Sequence, residues 1–310
     1  MPGGRTAGAA LLARCSFPPP GTPVVCAFSG GADSTALLLL ALTAGCHPRA
    51  VHVDHRLRPE SAAEATAAVA LASRMSVPCD VVTVDIAGGP NLEARARAAR
   101  RAALPAEALT GHTADDRAET MLINLLRGAG LDGLTAMGPS PTRPLLALRR
   151  WETRALCESQ GLAPIVDRSN DDPRFVRNRV RAELLPLMAD IAGRDVVGLL
   201  ERTATVLADD AELVRAGTAT VDPTDARAVA AAPPALARRA IRGWLATAIP
   251  SGYPPDRAAV ERVRRVALGE HRACEIAGGV RVERHRQRLR IVGDGAVVSN
   301  AGMGDAGGTR

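Results

Sequence analysis

Val24-Val25-Cys26-Ala27-Phe28 runs into Ser29-Gly30-Gly31-Ala32-Asp33-Ser34, and then into Thr35-Ala36-Leu37-Leu38-Leu39-Leu40-Ala41-Leu42. The first run reads as a buried parallel strand and the last as a helix. The hexapeptide between them is therefore a glycine-rich loop feeding a helix N-terminus. Unpaired amides and the positive helix end make such a place attractive to phosphate. Gly30 and Gly31 remove Cβ atoms from the path of an anion, and Ser29, Ser34 and Thr35 add hydroxyl donors. The loop is not a Walker loop, because no Lys-Ser/Thr follows, and it is not G-x-G-x-x-G. Asp33 is the unusual member. A carboxylate there repels phosphate unless Mg²⁺ stands between them. The alternative is a tight turn with Asp33 or Ser34 capping the helix.

Working outward, β and α patterns alternate. Ala50–Asp54 reads as a strand, Ser61–Met75 as a helix with Ser61 and Glu64 as a capping box, and Val81–Val84 as a strand. Asn91 opens a helix to Leu104, Ala108–Thr110 reads as a short fourth strand, and Asp115–Arg127 as a helix stopped by Gly128 and Gly130. The fold class predicted is α/β: an open parallel sheet with helices on both faces. Ligands in such sheets sit beyond the strand carboxyl ends, where Ser29, Asp54 and Gly111-His112 all fall. From Arg143 to Arg181 the pattern is irregular and basic, with a helix from Arg174 to Met188 broken at Pro186. Beyond residue 190 the alternation stops. Helices over 194–215, 234–249 and 255–268, then a hairpin at Val280–Val282 and Leu289–Val292, predict a smaller, mainly helical C-terminal domain. The divisions are an N-terminal segment and linker over 1–23, a catalytic domain over 24–190, the second domain over 191–292, and a disordered Gly-rich tail over 293–310.

Length and a 46% hydrophobic content suffice for two cores. No apolar run is long enough to span a bilayer, and the weak leader-like start lacks a proper cleavage site, so the protein reads as cytoplasmic. The net charge of +6 favours an anionic partner. All 39 basic residues are arginine. The six cysteines are scattered without a C-x-x-C pair, which argues against a zinc ribbon, a cluster or a disulfide framework.

Three further groups carry chemistry. Gly111-His112-Thr113-Ala114-Asp115-Asp116 ends a strand and opens a helix. His112 suits a polarising group or proton carrier. Asp115 and Asp116 could hold Mg²⁺ or orient the histidine, and either could instead be the N-cap with Glu119 behind it; Asp116 is preferred as the functional acid. In Asn91-Leu92-Glu93-Ala94-Arg95-Ala96-Arg97, Glu93 and Arg97 form either a surface pair or a crevice site in which Arg97 faces a transferred phosphoryl group. Val51-His52-Val53-Asp54-His55-Arg56-Leu57-Arg58 is a polar strand exit suited to adenine and phosphate.

The hexapeptide at 29–34 in its strand–loop–helix setting resembles the pyrophosphate-binding loop of the PP-loop ATP-pyrophosphatase superfamily, whose fold is adenine nucleotide alpha-hydrolase-like. The order SGGADS, VHVDHRLR, NLEARAR, GHTADDRAETMLINLLRGAGLDGL, RPLL and DRSNDDPRFVRNRVRAELLP resembles the tRNA(Ile)-lysidine synthetase family over residues 20–190. That family turns the wobble cytidine of an isoleucine tRNA with a CAU anticodon into lysidine. ATP adenylates the C2 oxygen with loss of pyrophosphate, and the amine of free lysine displaces AMP. The resemblance implies that Ser29, Gly30, Gly31, Ala32, Asp33 and Ser34 bind ATP, and that Asp33 and Asp116 lie near ATP and Mg²⁺. It implies His112 and Arg97 around the adenylated base, and Arg177, Asn178, Arg179 and Arg181 near tRNA. A homodimer is compatible with it.

Arg257, Arg262, Arg264 and Arg265 share one predicted helix, and Arg281, Arg284, Arg286, Arg288 and Arg290 surround the hairpin. They could follow an RNA backbone or form a solvated face. Aromatic residues are only 2% of the chain, so tRNA should be held mainly through phosphates and shape. The rival enzyme class, a tRNA thiolase, usually needs the paired cysteines missing here. A non-catalytic nucleotide or RNA binder would have little use for His112, Asp116 and Asp33.

Overall fold

The apolar residues Val24, Cys26, Ala27 and Phe28 are buried and place strand β1 (Pro23–Ala27) inside a parallel sheet. The computed structural model describes residues 3–56, 61–85, 92–166, 172–248, 255–276 and 280–292. They form two compact units, Met1–Ala208 and Asp209–Arg310. The division falls within a helix, whereas the pattern of the sequence changes near residue 190.

The first unit opens with α1 (Gly3–Leu12), β1 and α2 (Ala32–Thr43), which Gly45 ends at φ +78°. β2 (His47–Asp54), α3 (Ser61–Arg74), β3 (Cys79–Thr83) and α4 (Leu92–Ala102) follow. β1, β2 and β3 pair in parallel in that order, with Ala27 opposite Val51 and Ala50 opposite Cys79. The expected fourth strand at Ala108–Thr110 is reduced to a single bridge between Leu109 and Cys26 on the free flank of β1. Leu109 exchanges backbone hydrogen bonds with Val25 and Ala27 at 2.8 Å each. Thr110 then gives its N–H to the Thr142 carbonyl instead of to the sheet, and the strand ends. The chain leaves β1 toward β2 on one side and meets Leu109 on the other. That reversal is a topological switch point, where a crevice opens beyond the strand ends.

α5 (Ala114–Leu126), the short α6 (Leu131–Leu134) and α7 (Arg150–Ser159) continue the unit. The stretch read as irregular thus contains α7. Its buried face carries Glu152 and Thr153 beside Leu156 and Cys157, so the apolar period is masked. Pro186 does not break the following helix. α8 (Val176–Arg179) passes through a π-turn (Val180–Leu184) into α9 (Leu185–Ala192), with the proline in the first turn of α9, where its missing N–H is tolerated. α10 (Val197–Ala219) contains the division between the units. Phe28, Leu37, Leu38, Leu40, Leu145 and Leu148 are the largest buried core side chains here. Each such burial is worth about 1.5–3 kcal/mol.

The second unit contains α11 (Ala226–Ala231), α12 (Pro234–Ala248) and α13 (Arg257–Leu268). Asp225 caps α11 and Asp256 caps α13. The expected hairpin, β5 (Val280–His285) with β6 (Arg288–Val292), gains a third antiparallel strand, β4 (Ala273–Ile276). The domain is therefore helices plus a sheet, around Ile241, Leu245, Val263, Val266 and Val282. All six cysteines are free. Among the described residues, no helix is long and apolar enough to cross a membrane. The Asn91 cap and the tail lie outside those residues.

One close approach fixes the crevice. A Cβ on Gly111 would lie 2.7 Å from the Asp33 carbonyl oxygen and 3.1 Å from the Ser34 nitrogen. Backbone cannot yield as a flexible side chain can, so Gly111→Ala should lower stability by about 1–3 kcal/mol in urea titration. Gly130→Ala, where nothing lies within 4 Å of the added carbon, should change it by less than about 0.5 kcal/mol.

Candidate active site

α2 starts at Ala32, with Gly31 as its N-cap and no side chain capping it. Asp33 and Ser34 are therefore not the cap. The Ser34 hydroxyl donates to the Gly31 carbonyl at 2.9 Å, and the Thr35 hydroxyl does so at 3.0 Å. The first helical amides, Ala32 to Ser34, have no carbonyl four residues back to accept them. Gly30 lies at φ +80° with Ile165 packed against it, and its carbonyl accepts the Ile165 N–H at 2.9 Å. The loop is thus held from behind.

Asp33 accepts from the Thr153 hydroxyl, and its other oxygen lies 3.6 Å from Arg150 Nε. Burial pushes its carboxyl above the usual range. Asp116 and Asp115 push the same way, against Thr153 and Arg150.

Gly111, pressed on the Asp33 backbone, brings the second loop to the first. His112 Nδ1 lies 2.9 Å from the Thr110 hydroxyl, which donates to the Thr142 carbonyl at 3.0 Å. That hydroxyl has only one proton, so it accepts from Nδ1–H, and Nε2 keeps its lone pair. Burial, aided by Arg100, Arg177 and Arg143 and opposed by Asp116, drops the imidazole to about 4. His112 is a neutral acceptor at pH 7.

The N-cap of α5 is Thr113, neither aspartate. Asp116 Oδ2 accepts from the Thr113 N–H at 2.9 Å, while Oδ1 accepts from Arg150 at 3.0 Å and Arg177 at 3.1 Å. One carboxylate therefore starts the helix and faces the cluster. Asp115 instead accepts the Arg150 backbone N–H at 2.8 Å and pairs with Arg149 at 3.1 Å, tying α5 to α7.

Glu119 is fully buried and meets Arg150, Arg177 and Arg181 at 2.7, 2.8 and 2.7 Å. Burial alone would raise its carboxyl. Arg181 and Arg150 outweigh burial and hold it at about 2. Arg150, half-buried, is held above its usual range by Asp116 and Glu119 against its own desolvation.

Of the residues singled out in the sequence, Ser29–Ser34, His112, Asp116, Arg177 and Arg181 thus come together around Asp33, Glu119 and Arg150. Arg179 stands apart, with an exposed side chain paired to Glu183 at 2.8 Å. Arg97 lies on α4, and its side chain is outside the described residues. His52 is buried with Nδ1 3.0 Å from the Phe28 carbonyl, a strand-to-strand tie. Arg150, Thr153 and the buried role of Glu119 escaped the sequence reading. Glu119 had a signal, because it sits three residues after Asp116 on one helix face. Arg150 had none.

A family model described as "PP-loop domain" matches residues 11–188, and one described as "TilS substrate binding domain" matches residues 225–290. A tRNA(Ile)-lysidine synthase from Rhodococcus erythropolis is 44% identical over 72% of this chain and 73% of its own length. One from Salinispora tropica is 39% identical over 92% of this chain and 95% of its own. Among solved structures, the U34-tRNA thiolase NcsA from Methanococcus maripaludis superposes with a TM-score of 0.50, covering 66% of this chain and 78% of that one. At 16% identity it shares the fold alone. With both family models in sequence and a relative matched over nearly its whole length, this chain belongs to the tRNA(Ile)-lysidine synthase family.

Proposed function

We propose that this chain uses ATP to activate the wobble cytidine of a tRNA(Ile) with a CAU anticodon and joins free lysine to its C2 position, forming lysidine. The observation that carries the reading is the contact of Gly111 with the Asp33 backbone, which sets the phosphate loop against the His112–Asp116 loop. tRNA and free lysine as substrates place the reaction in the cytoplasm.

The phosphates lie against the Gly30–Gly31 turn and the first amides of α2. The cytidine C2 oxygen attacks the α-phosphorus, the bond to pyrophosphate breaks, and the lysine amine then displaces AMP. Asp33 and Asp116 would hold Mg²⁺. Asp33 fits that part, with one oxygen no nearer than 3.6 Å to Arg150 Nε and Mg²⁺ taking one or two carboxylates together with substrate phosphates; Asp116 would join by giving up a hydrogen bond from Arg150 or Arg177. Burial and neighbouring acids already disfavour the ionised Asp33, a strain that a cation relieves. Bound there, Mg²⁺ supplies neutralisation of phosphate charge. Arg150 and Arg177 add fixed positive charge beside the developing negative charge, and Arg97 is assigned to the transferred phosphoryl group. His112 Nε2 has no proton to give, so it accepts a hydrogen bond from the base or the amine and orients it. The thiolase reading is disfavoured by six free, scattered cysteines.

The test is mass spectrometry of nucleosides after incubation with tRNA, ATP and lysine; pyrophosphate release that needs no tRNA, or a sulfur-containing product, would refute the reading. Asp33→Ala should release no pyrophosphate above background while its circular dichroism stays native. His112 offers a check on stability. Its folded value of about 4 lies below the ordinary 6.5, so the unfolded chain binds the extra proton between them. Its contribution is complete above pH 6.5 and is lost as the pH falls toward 4. Urea midpoints of His112→Gln should therefore depend less on pH across that window than those of the wild type. In the second unit, Arg281 and Arg290 are exposed beside buried Val282 and Leu289, on the outer face of the sheet. Replacing either by Gln should weaken tRNA binding and reduce the slope of log affinity against log salt by about 1.

A further inference from the structure

Arg177 pairs with Asp116 and Glu119, and it also lines a cavity of about 200 Å³ with Thr120 and Asn124 of α5, its C-cap residue Arg127, and Phe175 and Val176 at the start of α8. Phe175 is one of three phenylalanines in the chain. Phe28 is buried and Phe17 packs on the core, but Phe175 is 36% exposed and belongs to none of the core clusters among the described residues. The turn that carries it is nonetheless held by hydrogen bonds. Asp172 accepts the Arg174 N–H at 3.0 Å, its carbonyl accepts the Asn178 amide at 2.9 Å, and Phe175 is the N-cap residue of α8. Arg127 is exposed and makes no ion pair among the described residues. Asn124 spends an amide N–H on the Gly133 carbonyl at 2.7 Å and keeps its oxygen as an acceptor.

A part-exposed aromatic ring on a hydrogen-bonded turn, an unpaired guanidinium and a polar acceptor lining one recess are what an unstacked RNA base and its phosphate require. We propose that this cavity receives an unstacked base of the RNA substrate, stacked on Phe175 with its phosphate at Arg127. Through Arg177, that base lies one side chain from Asp116 and Glu119. The proposal rests on tRNA being the substrate. It deepens that reading by naming where a base is gripped in a chain with few aromatic side chains. The base is that of the modified nucleotide or of its immediate neighbour.

The test uses tRNA carrying pyrrolo-cytidine, a fluorescent cytidine analogue, at the wobble position in one arm, and 2-aminopurine, a fluorescent adenine analogue, at the adenosine that follows it in the other. Binding should quench the fluorescence in one arm with the wild type and with Phe175→Trp, and Phe175→Leu should abolish the quench. Leucine keeps apolar bulk but has no π-face, so a purely packing role would spare it. KM for tRNA should rise on the order of tenfold in Phe175→Leu, recover in Phe175→Trp, and leave KM for ATP unchanged. Arg127→Gln, at an exposed side chain, should weaken tRNA binding and flatten its salt dependence by about one unit of slope. Quenching by Phe175→Leu equal to that by the wild type, or no quench by the wild type in either arm while tRNA still binds, overturns the base site and leaves lysidine formation intact. A wild-type protein that binds no tRNA overturns both readings.

Discussion

One guanidinium holds the catalytic unit together. Arg150 reaches Asp33 in the first turn of α2 and Asp116 and Glu119 in α5, and its own backbone N–H is received by Asp115. Three carboxylates crowded into a largely buried space repel one another, and a positive charge among them is the condition for that crowding. The same residue begins α7, which packs on α2. The glycine turn before α2, the His112 loop and α7 are consequently one mechanical piece. Loss of one partner from such a buried network typically costs about 3–5 kcal/mol, because the others keep their charges without compensation.

Within that piece, burial acts differently on each group. Asp33 has few hydrogen bonds to its charged form, so desolvation raises its carboxyl. Glu119 is more deeply buried yet falls to about 2, because three arginines surround it. His112 loses its charge altogether, and Thr110 fixes which nitrogen is bare. Groups lining one crevice are thus pushed in different directions: the Asp33 carboxyl is raised, the Glu119 carboxyl is held low and the His112 imidazole is kept neutral.

The sequence displayed what depends on neighbours along the chain. The apolar run of β1 and the glycine turn lie where local pattern puts them, as do the glycines that end α2 and α5, whereas α2 begins at Ala32, three residues before the run read as its helix. What it concealed depends on partners far away. The fourth strand failed because Thr110 found Thr142, thirty-two residues on. α7 was hidden because its buried face is half polar, with Glu152 facing Arg14 and Thr153 facing Asp33. The cap of α5 was misplaced because Asp115 and Asp116 are both good caps by type, yet Arg149 had claimed one and Thr113 the other. Arg150 sits in Leu148-Arg149-Arg150-Trp151, where no spacing separates it from its neighbour.

The cations ringing Asp116 and Glu119 are all guanidiniums, and the chain contains no lysine anywhere. A guanidinium stays protonated at any physiological pH and makes a poor nucleophile, whereas an ε-amine titrates readily once desolvated. If an electrophilic adenylate forms in this crevice, no side-chain amine of the protein competes to attack it. The enzyme would be protected from acquiring its own substrate's adduct, and fidelity at the second step would begin with what the polypeptide omits.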